Sequence, residues 1–584
     1  MKRLPPDFGF NPEPDTPQRA GFSALIYSPQ QGGRSLLGHQ LRAIGGEPIT
    51  QVSRLADAKR SLEFHKFDVV VLDDDDNDSA AAGRTMVEDL RRCGHLDIKT
   101  IVILTSSLAT YSRVSDAAES GVDSFLLRPF SQNAMQERIE TALTRRHALG
   151  AIYQCLGVGD WQSALAHCQS RIQKKQSFWL YAARIAGEIL LSQGQLEAAH
   201  AMYQVVLQAN ALPWAKLGVG RVLFAQRKHH EAATYLSNLA QSHPEQTDTY
   251  DLMAEAHLEL GQITEALNIY QVAAKATPGS VSRLQRLGFA AHFCGDSKLA
   301  IETLERSIRI GARSKSFDSQ SLVFLGHLYT ESQRNSDLKD LIKRAHQMLE
   351  HAAEPQRLQD HIRVLDAYLC ASSGQLQQAR SLISPLFDQV NAPATCIDQA
   401  FNTSSVLALL AQMGHTHPGD AGLIEYLSLR FSHTKLSALW LARSAKPHAP
   451  YADQMNRAYE QSFQMAQTAL KPHLTGNTSA AVAELVQLAA DTLNIRIIDM
   501  ASKLVQRHAN DLVDACHLQL RIEGIKTAVN LPEKQKNPVS RYLKHPGGLS
   551  LTARSTSEAP RLNNESLAFY PPQDLDLTSP NPTL

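Results

Sequence analysis

The segment FDVVVLDDDDND (67–78) decides how the N-terminal part of this chain folds. Its apolar half is one of five short apolar runs, the others being ALIY (24–27), PITQV (48–52), TIVIL (100–104) and SFLL (124–127). Amphipathic stretches alternate with these runs near 34–45, 55–65, 84–93, 110–120 and 131–147. Continuously apolar strands that alternate with helices predict a doubly wound α/β domain over 22–147, with a five-stranded parallel sheet. Such a sheet carries its functional residues at the carboxyl ends of its strands.

Polar residues stand at three of these predicted strand ends. Asp73 follows DVVVL, Thr105 follows TIVIL, and Arg128 follows SFLL, with Phe125 three residues before it. With these residues, the segment 22–147 resembles the receiver domain of bacterial two-component response regulators. The resemblance implies that Asp73 is a phosphoryl acceptor and that Thr105, Phe125 and Arg128 form the switch. It also implies a phosphorelay in which a histidine kinase or a phosphotransfer protein is the partner of this domain.

The acidic pair that the family carries after its first strand is missing here. The sequence ALIYSPQQ places Ser28 and Pro29 at those two positions. Mg²⁺ prefers several hard oxygen ligands, and phosphoryl transfer to a carboxylate needs a cation to offset charge repulsion. The acidic run after Asp73 offers replacement carboxylates, with Asp73 and Asp75 as the candidate pair, but that run lies on the loop side of the strand. We therefore expect no bound metal and no other cofactor.

Arg128 stands where the family has a lysine. A guanidinium is planar and forms charge-assisted, bidentate contacts with carboxylates. We therefore expect Arg128 to pair with Asp73 directly and to hold the strand ends together without phosphate.

Two interpretations of Asp73 remain open from the sequence. In one, Asp73 is phosphorylated and switches the domain, and the chain could even phosphorylate itself from small phosphodonors. In the other, Asp73 is a relic in a domain that serves as a constitutive docking module. Labelling of Asp73 in the presence of Mg²⁺ distinguishes the two.

The chain beyond residue 148 has no strand pattern and instead repeats itself. The segment GQLEAAHAMY (194–203) is echoed by GQITEALNIY (261–270), GDSKLAIETL (295–304) and GDWQSALAHC (159–168). Corresponding positions recur every 33 to 35 residues, from Ile152 through Gly187, Gly220 and Ala254 to Gly288. Two antiparallel helices and two tight turns use about 34 residues. Such a unit cannot bury its own apolar face, so the units are expected to stack.

This spacing resembles the tetratricopeptide repeat family, with seven units over 148–390. The small residues at fixed positions are expected to let neighbouring helices approach closely; these are Gly187, Ala199, Gly220, Ala232, Gly261, Ala266, Gly288 and Ala300. The resemblance implies an all-α solenoid whose first helices form a groove for a protein or peptide partner.

The remaining segments have weaker patterns. Residues 1–21 are rich in proline and are expected to be a disordered leader, and residues 526–584 a disordered tail. Residues 391–525 remain helical in composition but lose the period, so we expect a helical capping region there.

Composition excludes several classes of protein. The chain carries 58 Lys and Arg against 58 Asp and Glu, which argues against a protein that coats nucleic acid or an anionic membrane. Its seven cysteines include no CxxC pair, and no apolar run is long enough to span a membrane. Composition leads us to expect a cytoplasmic protein, and the resemblance to receiver domains implies a non-enzymatic signalling adaptor, a phosphoprotein of a two-component system. The alternative is a structural scaffold that functions without phosphorylation.

Overall fold

The structure is a computed structural model that describes residues 21–529 with several gaps. The gaps are 74–82, 84–85, 88–89, 91–95, 98, 108–121, 210–211, 245, 313–316, 353, 391–394 and 513. The described residues form two compact units, one within 21–167 and the other within 168–529. Several predicted features lie outside the described residues. They are the acidic residues Asp74, Asp75, Asp76 and Asp78, the predicted helix at 110–120, most of the predicted helix at 84–93, most of the leader and nearly all of the tail.

The first unit contains the predicted parallel sheet. Its strands are β1 (Phe22–Tyr27), β2 (Gly46–Val52), β3 (Val69–Asp73), β4 (Ile101–Ser106) and β5 (Ser124–Leu127), in the order β2-β1-β3-β4-β5. Every described pairing is parallel, and all residues of β3 and β4 are buried, as continuously apolar strands require. The helices described around the sheet are α1 (Gln31–Ala43), α2 (Leu55–Phe64) and α3 (Gln132–Ala148). The α/β fold predicted for this segment is confirmed.

The strand register aligns the polar strand ends. Asp73 on β3 lies opposite Thr105 on β4, and Thr105 lies opposite Leu126 on β5. The backbone N–H of Arg128 donates a hydrogen bond to the carbonyl oxygen of Ser106 at 2.7 Å, which fixes the position where the chain leaves β5. One edge of the sheet therefore gathers the residues that the sequence singled out.

Helices follow one another from residue 150 onwards, and they pair as the period predicts. The first helices of the pairs are α4 (Gly150–Val158), α6 (Trp179–Ser192), α8 (Pro213–Ala225), α10 (Thr247–Glu259), α12 (Val281–Cys294), α14 (Gln320–Glu331) and α16 (Pro355–Ser372). The second helices are α5 (Trp161–Gln173), α7 (Leu196–Ala209), α9 (His229–Ser242), α11 (Ile263–Ala276), α13 (Ser297–Gly311), α15 (Asn335–Met348) and α17 (Leu376–Val390). Helix α5 crosses the division between the two units. The predicted helical solenoid is confirmed.

Seven further helices follow the repeats. They are α18 (Ile397–Gln412), α19 (Asp420–Phe431), α20 (Lys435–Ser444), α21 (Ala449–Leu474), α22 (Thr478–Thr492), α23 (Ile495–Arg507) and α24 (Ala515–Ala528). Helix α24 runs beyond residue 525, where the tail was expected to begin. Among the described residues, no helix combines the length and apolar character needed to cross a membrane.

Small residues permit the close packing of the repeat helices, with one exception. A Cβ atom added at Gly187 would lie 2.8 Å from the Tyr203 ring, and one added at Gly288 would lie 2.6 Å from Leu304. Gly261 was expected to act in the same way, but a Cβ there would meet no atom within 4 Å. Its φ of +75° instead shows that Gly261 permits the left-handed turn between α10 and α11.

We expect Ala266→Trp to destabilise the repeats by about 1–3 kcal/mol, because Ala266 on α11 is completely buried and its neighbours would have to move. Thermal unfolding followed by far-UV circular dichroism measures the change. Val272→Trp is the matched control, since Val272 lies on the same helix and is half exposed. Equal melting curves for Ala266→Trp and the unchanged chain would contradict this assignment of the repeat packing.

Candidate functional site

The Asp73 carboxylate is held by two other side chains in the first unit. The hydroxyl of Ser28, at the end of β1, donates a hydrogen bond to Oδ2 of Asp73 at 2.7 Å. The guanidinium of Arg128 forms an ion pair with Oδ1, so the contact expected between these two residues is present. The Asp73 side chain is only 2% exposed, so both interactions lie almost entirely out of water.

The first turn of α1 encloses the same carboxylate. A Cβ atom at Gly33 would lie 2.8 Å from the Ser28 hydroxyl oxygen and 3.6 Å from Oδ2 of Asp73. Arg34 donates from Nη1 to the carbonyl oxygens of Ser28 and Pro29, at 2.7 and 3.0 Å. The loop between β1 and α1 is therefore fixed over Asp73. The sequence signal for this role of Ser28 is its place at the end of β1, because β1 pairs directly with β3.

The two other residues assigned to the switch lie on neighbouring strands. Thr105 is completely buried, and within the described residues its hydroxyl oxygen has no hydrogen-bond partner. Phe125 on β5 lies opposite Leu104 on β4, and its side chain is half buried. The structure thus brings Asp73, Thr105 and Arg128 to one edge of the sheet, with Phe125 on the adjacent strand.

The described residues around Asp73 do not fit a Mg²⁺ ion. Magnesium needs near-octahedral oxygen ligands, usually with carboxylates among them. Arg128 contacts one carboxylate oxygen of Asp73 and Ser28 the other. Nowhere in the described ranges do three or more His, Cys, Asp or Glu side chains form a group able to hold a metal. Asp75, the other candidate ligand, lies outside the described residues.

A second group of polar residues lies on the first helices of the repeats. Glu188 on α6 forms an ion pair with Arg221 on α8, with 2.5 Å between Oε1 of Glu188 and Nη1 of Arg221. Asp251 on α10 accepts contacts from Arg283 and Arg286 on α12, at 3.0 and 2.7 Å. These pairs link consecutive repeats through buried charges, and removing one partner of such a pair is costly.

Glu255 on α10 is the least compensated member of this group. It is completely buried, and its nearest cation is Nη2 of Arg286, 3.9 Å from Oε1. Neither carboxylate oxygen has a hydrogen-bond partner within the described residues. Burial raises the pKa of Glu255 to about 8, against the attraction of Arg286, and the neighbouring Asp251 adds to the increase.

Sequence reasoning missed these charges although a signal was present. Glu188, Arg221 and Glu255 recur at intervals of 33 and 34 residues, which is the repeat period. They therefore occupy equivalent positions on three successive first helices. A charged residue that recurs with the same period as the buried small residues is predicted to point toward the interior of the repeats and not toward solvent.

The expected open groove along the first helices is absent in the middle of the second unit. Helices α12 and α14 are buried along almost their whole length. Aromatic side chains of α18 and α20 pack against both helices. Trp440 of α20 is fully buried, with its ring centroid 4.4 Å from that of Phe289 on α12 and 4.9 Å from that of Phe324 on α14. The chain therefore fills this part of the groove with its own helix. On α6, Tyr181 remains exposed.

Comparisons with known proteins identify the repeat class. Residues 223–288, from the end of α8 into α12, match the family described as "Tetratricopeptide repeat". No curated protein matches the chain. The matched segment therefore contains tetratricopeptide-type repeats within a helical solenoid, and such repeats suggest a role in protein–protein interaction.

Two solved structures are similar to the chain at low identity. One, described as "Structure of Naa15/Naa10 bound to HypK-THB", aligns with 64% of this chain and 68% of its own at 12% identity, with a TM-score of 0.24. The other, a "Circular tandem repeat protein with novel repeat topology and enhanced subunit contact surfaces", aligns with 70% and 93% at 15% identity, with a TM-score of 0.11.

Proposed function

We propose that this protein is a response-regulator-type signalling adaptor whose receiver-like domain docks without phosphorylation and whose repeats bind a protein partner. The observation that carries the proposal is the Asp73 carboxylate, which Arg128 and Ser28 already hold on both oxygens. An acceptor carboxylate has to be free to attack a phosphodonor, and it has to be near a metal that offsets the repulsion. The contacts of Asp73 support a domain held in one arrangement by a permanent ion pair.

The resemblance to receiver domains supplies the signalling context of this proposal. A histidine kinase or a phosphotransfer protein is then the class of partner for the sheet edge that carries Asp73. For the repeats we propose a protein ligand that engages the first helices α6 and α8, where Tyr181 is exposed. Glu188 and Arg221 form a largely buried ion pair between the same two helices, so the pair fixes the spacing of the helices that present Tyr181.

The second candidate function is a receiver that is phosphorylated at Asp73. Thr105 favours it: its buried hydroxyl lies in register with Asp73 and has no hydrogen-bond partner among the described residues. A buried hydroxyl without a partner is costly, so a phosphoryl oxygen on Asp73 would be a suitable acceptor.

We expect that a small acyl phosphodonor with Mg²⁺ leaves the full chain unmodified at Asp73, because Arg128 and Ser28 hold both carboxylate oxygens and the described residues contain no group of three or more metal-ligating side chains. Intact-protein mass spectrometry measures the gain of a phosphoryl group, and Asp73→Asn shows whether any gain arises at this residue. Arg128→Lys restores the family's compact ammonium and provides the comparison. Phosphorylation of the unchanged chain that Asp73→Asn abolishes would overturn the proposal in favour of the second candidate.

A further inference from the structure

Two buried histidines lie on the repeat helices against which α20 packs. His292 on α12 and His327 on α14 are 0% and 3% exposed, and their ring centroids lie 5.4 Å apart. The His292 ring stacks on Phe324 at 5.8 Å and meets the Trp440 ring edge to face at 5.8 Å. We call the surface that receives Trp440 the aromatic seat; the rings that contact Trp440 are Phe289, His292, Phe293, Phe324 and Phe401. The seat also includes His327, whose ring contacts those of His292 and Phe401 rather than that of Trp440.

All four ring nitrogens of these histidines are buried. None of them has a hydrogen-bond partner within the described part of the chain. A neutral imidazole tolerates apolar rings, whereas an imidazolium has two donors and a charge that these surroundings do not satisfy. The geometry of the seat therefore requires both rings to be neutral.

The charged groups around the seat reinforce this requirement. Arg443 of α20 donates from Nε to the carbonyl oxygen of His292 at 3.1 Å and contacts Glu331 at 3.2 Å. Lys446, which follows α20, lies 3.9 Å from the same Glu331 on α14. From α16, Tyr368 approaches His327 with its ring, and its hydroxyl contacts Ser405 of α18 at 2.5 Å. One carboxylate thus faces two cations.

Burial is the main cause of low histidine pKa values in the seat. It holds the pKa of His292 well below its ordinary value, and His327, Arg443 and Lys446 act in the same direction. Burial also lowers the pKa of His327 to about 4, even though Glu331 opposes the shift. A histidine exposed to water has a pKa near 6.5. Release of α20 therefore allows the two histidines to take up protons below about pH 6.5.

We propose that His292 and His327 form a pH-sensitive latch: α20 stays on the aromatic seat while both rings are neutral, and mild acid releases it. The histidine pKa is lowered in the seated state, so the stability of that state is complete above about pH 6.5 and falls with decreasing pH. Each ring contributes up to about a tenfold shift of the equilibrium per pH unit in that window. Release exposes Phe289, Phe324 and Phe401, so acid opens an apolar face on the repeats.

The test uses the full chain with Trp161, Trp179 and Trp214 changed to Phe, which leaves Trp440 as the only tryptophan. We expect its emission to shift to longer wavelength between pH 6.5 and 4, while far-UV circular dichroism shows that the helices persist. In this background H292F/H327F keeps two rings but removes both titrating groups, so the emission should stay constant. H346F is the matched control, since His346 is exposed on α15, and it should leave the shift unchanged.

Three results would overturn the latch: a constant emission in the parent chain, a shift that survives in H292F/H327F, or a loss of helix with the same midpoint as the shift. Should H292F/H327F fail to fold, H327F alone decides. It removes one of the two protons taken up, so the emission should change less steeply with pH. An unchanged steepness for H327F would contradict the proposal.

Discussion

Arg128→Ala should destabilise the sheet domain by about 3 kcal/mol, because it removes the cation that pairs with the buried Asp73 carboxylate. Breaking a buried ion pair on one side costs more than the pair itself contributes. Hydrogen–deuterium exchange of the β3 and β4 amides measures the local free energy of opening, so unfolding of the repeats does not obscure the result.

The double variant Asp73→Asn/Arg128→Ala completes a cycle for this pair. In Arg128→Ala the stability is lost because the buried Asp73 charge has lost its cation. Asp73→Asn removes that charge, so the double variant should recover most of the protection from hydrogen exchange that Arg128→Ala loses. Arg54→Ala is the surface control: its pair with Asp57 is exposed, and we expect less than about 1 kcal/mol. Wild-type protection in Arg128→Ala would show that the ion pair does not hold the domain.

Glu255→Gln should abolish a large pH dependence of the stability of the repeats. In the unfolded chain Glu255 loses its proton near pH 4.5, whereas in the folded protein its pKa is about 8. The folded state therefore binds one proton more than the unfolded state between these values, and the stability falls as the pH rises. At about 1.4 kcal/mol per pH unit, the loss is about 5 kcal/mol over the whole window and about 2 kcal/mol between pH 6.5 and 8.

The part of that window above pH 7 isolates Glu255, because the two histidines of the aromatic seat are mostly neutral there in both states. Urea unfolding of the full chain between pH 7 and 8.5, followed by circular dichroism, should show the slope in the wild type and a flat profile in Glu255→Gln. Glu265→Gln on α11 is the control, since Glu265 is exposed, and its profile should match the wild type. A slope that persists in Glu255→Gln would assign the titration to another group.

The sequence predicted features that depend on local pattern. The apolar runs located all five strands, and the chain order of strands and helices placed Asp73, Thr105 and Arg128 at one edge of a parallel sheet. The repeat period located the helix pairs because Gly187, Gly220 and Gly288 recur in phase. These inferences needed only periodicity and the rules of strand order.

Features that depend on distant contacts were not predicted. The guanidinium of Arg443 contacts the carbonyl oxygen of His292, which is 151 residues away in the sequence. The sequence around Trp440 contains no pattern that predicts its packing against α12 and α14. Gly261 shows a different difficulty: its position in the repeat suggested packing, but its φ shows a turn. A single sequence gives the spacing of a glycine and not the conformation it adopts.

The seating of α20 also bears on how this solenoid can change in evolution. Ordinary repeat arrays have contacts between neighbouring units alone, so they gain or lose units with little penalty. Here α20 contacts α10 and α18, and Trp440 packs on rings from α12, α14 and α18. Duplicating or deleting one unit between α10 and α18 would carry the seat away from Trp440. The number of these units is therefore fixed by the helix that spans them, and the array behaves as one closed assembly rather than as a modular series.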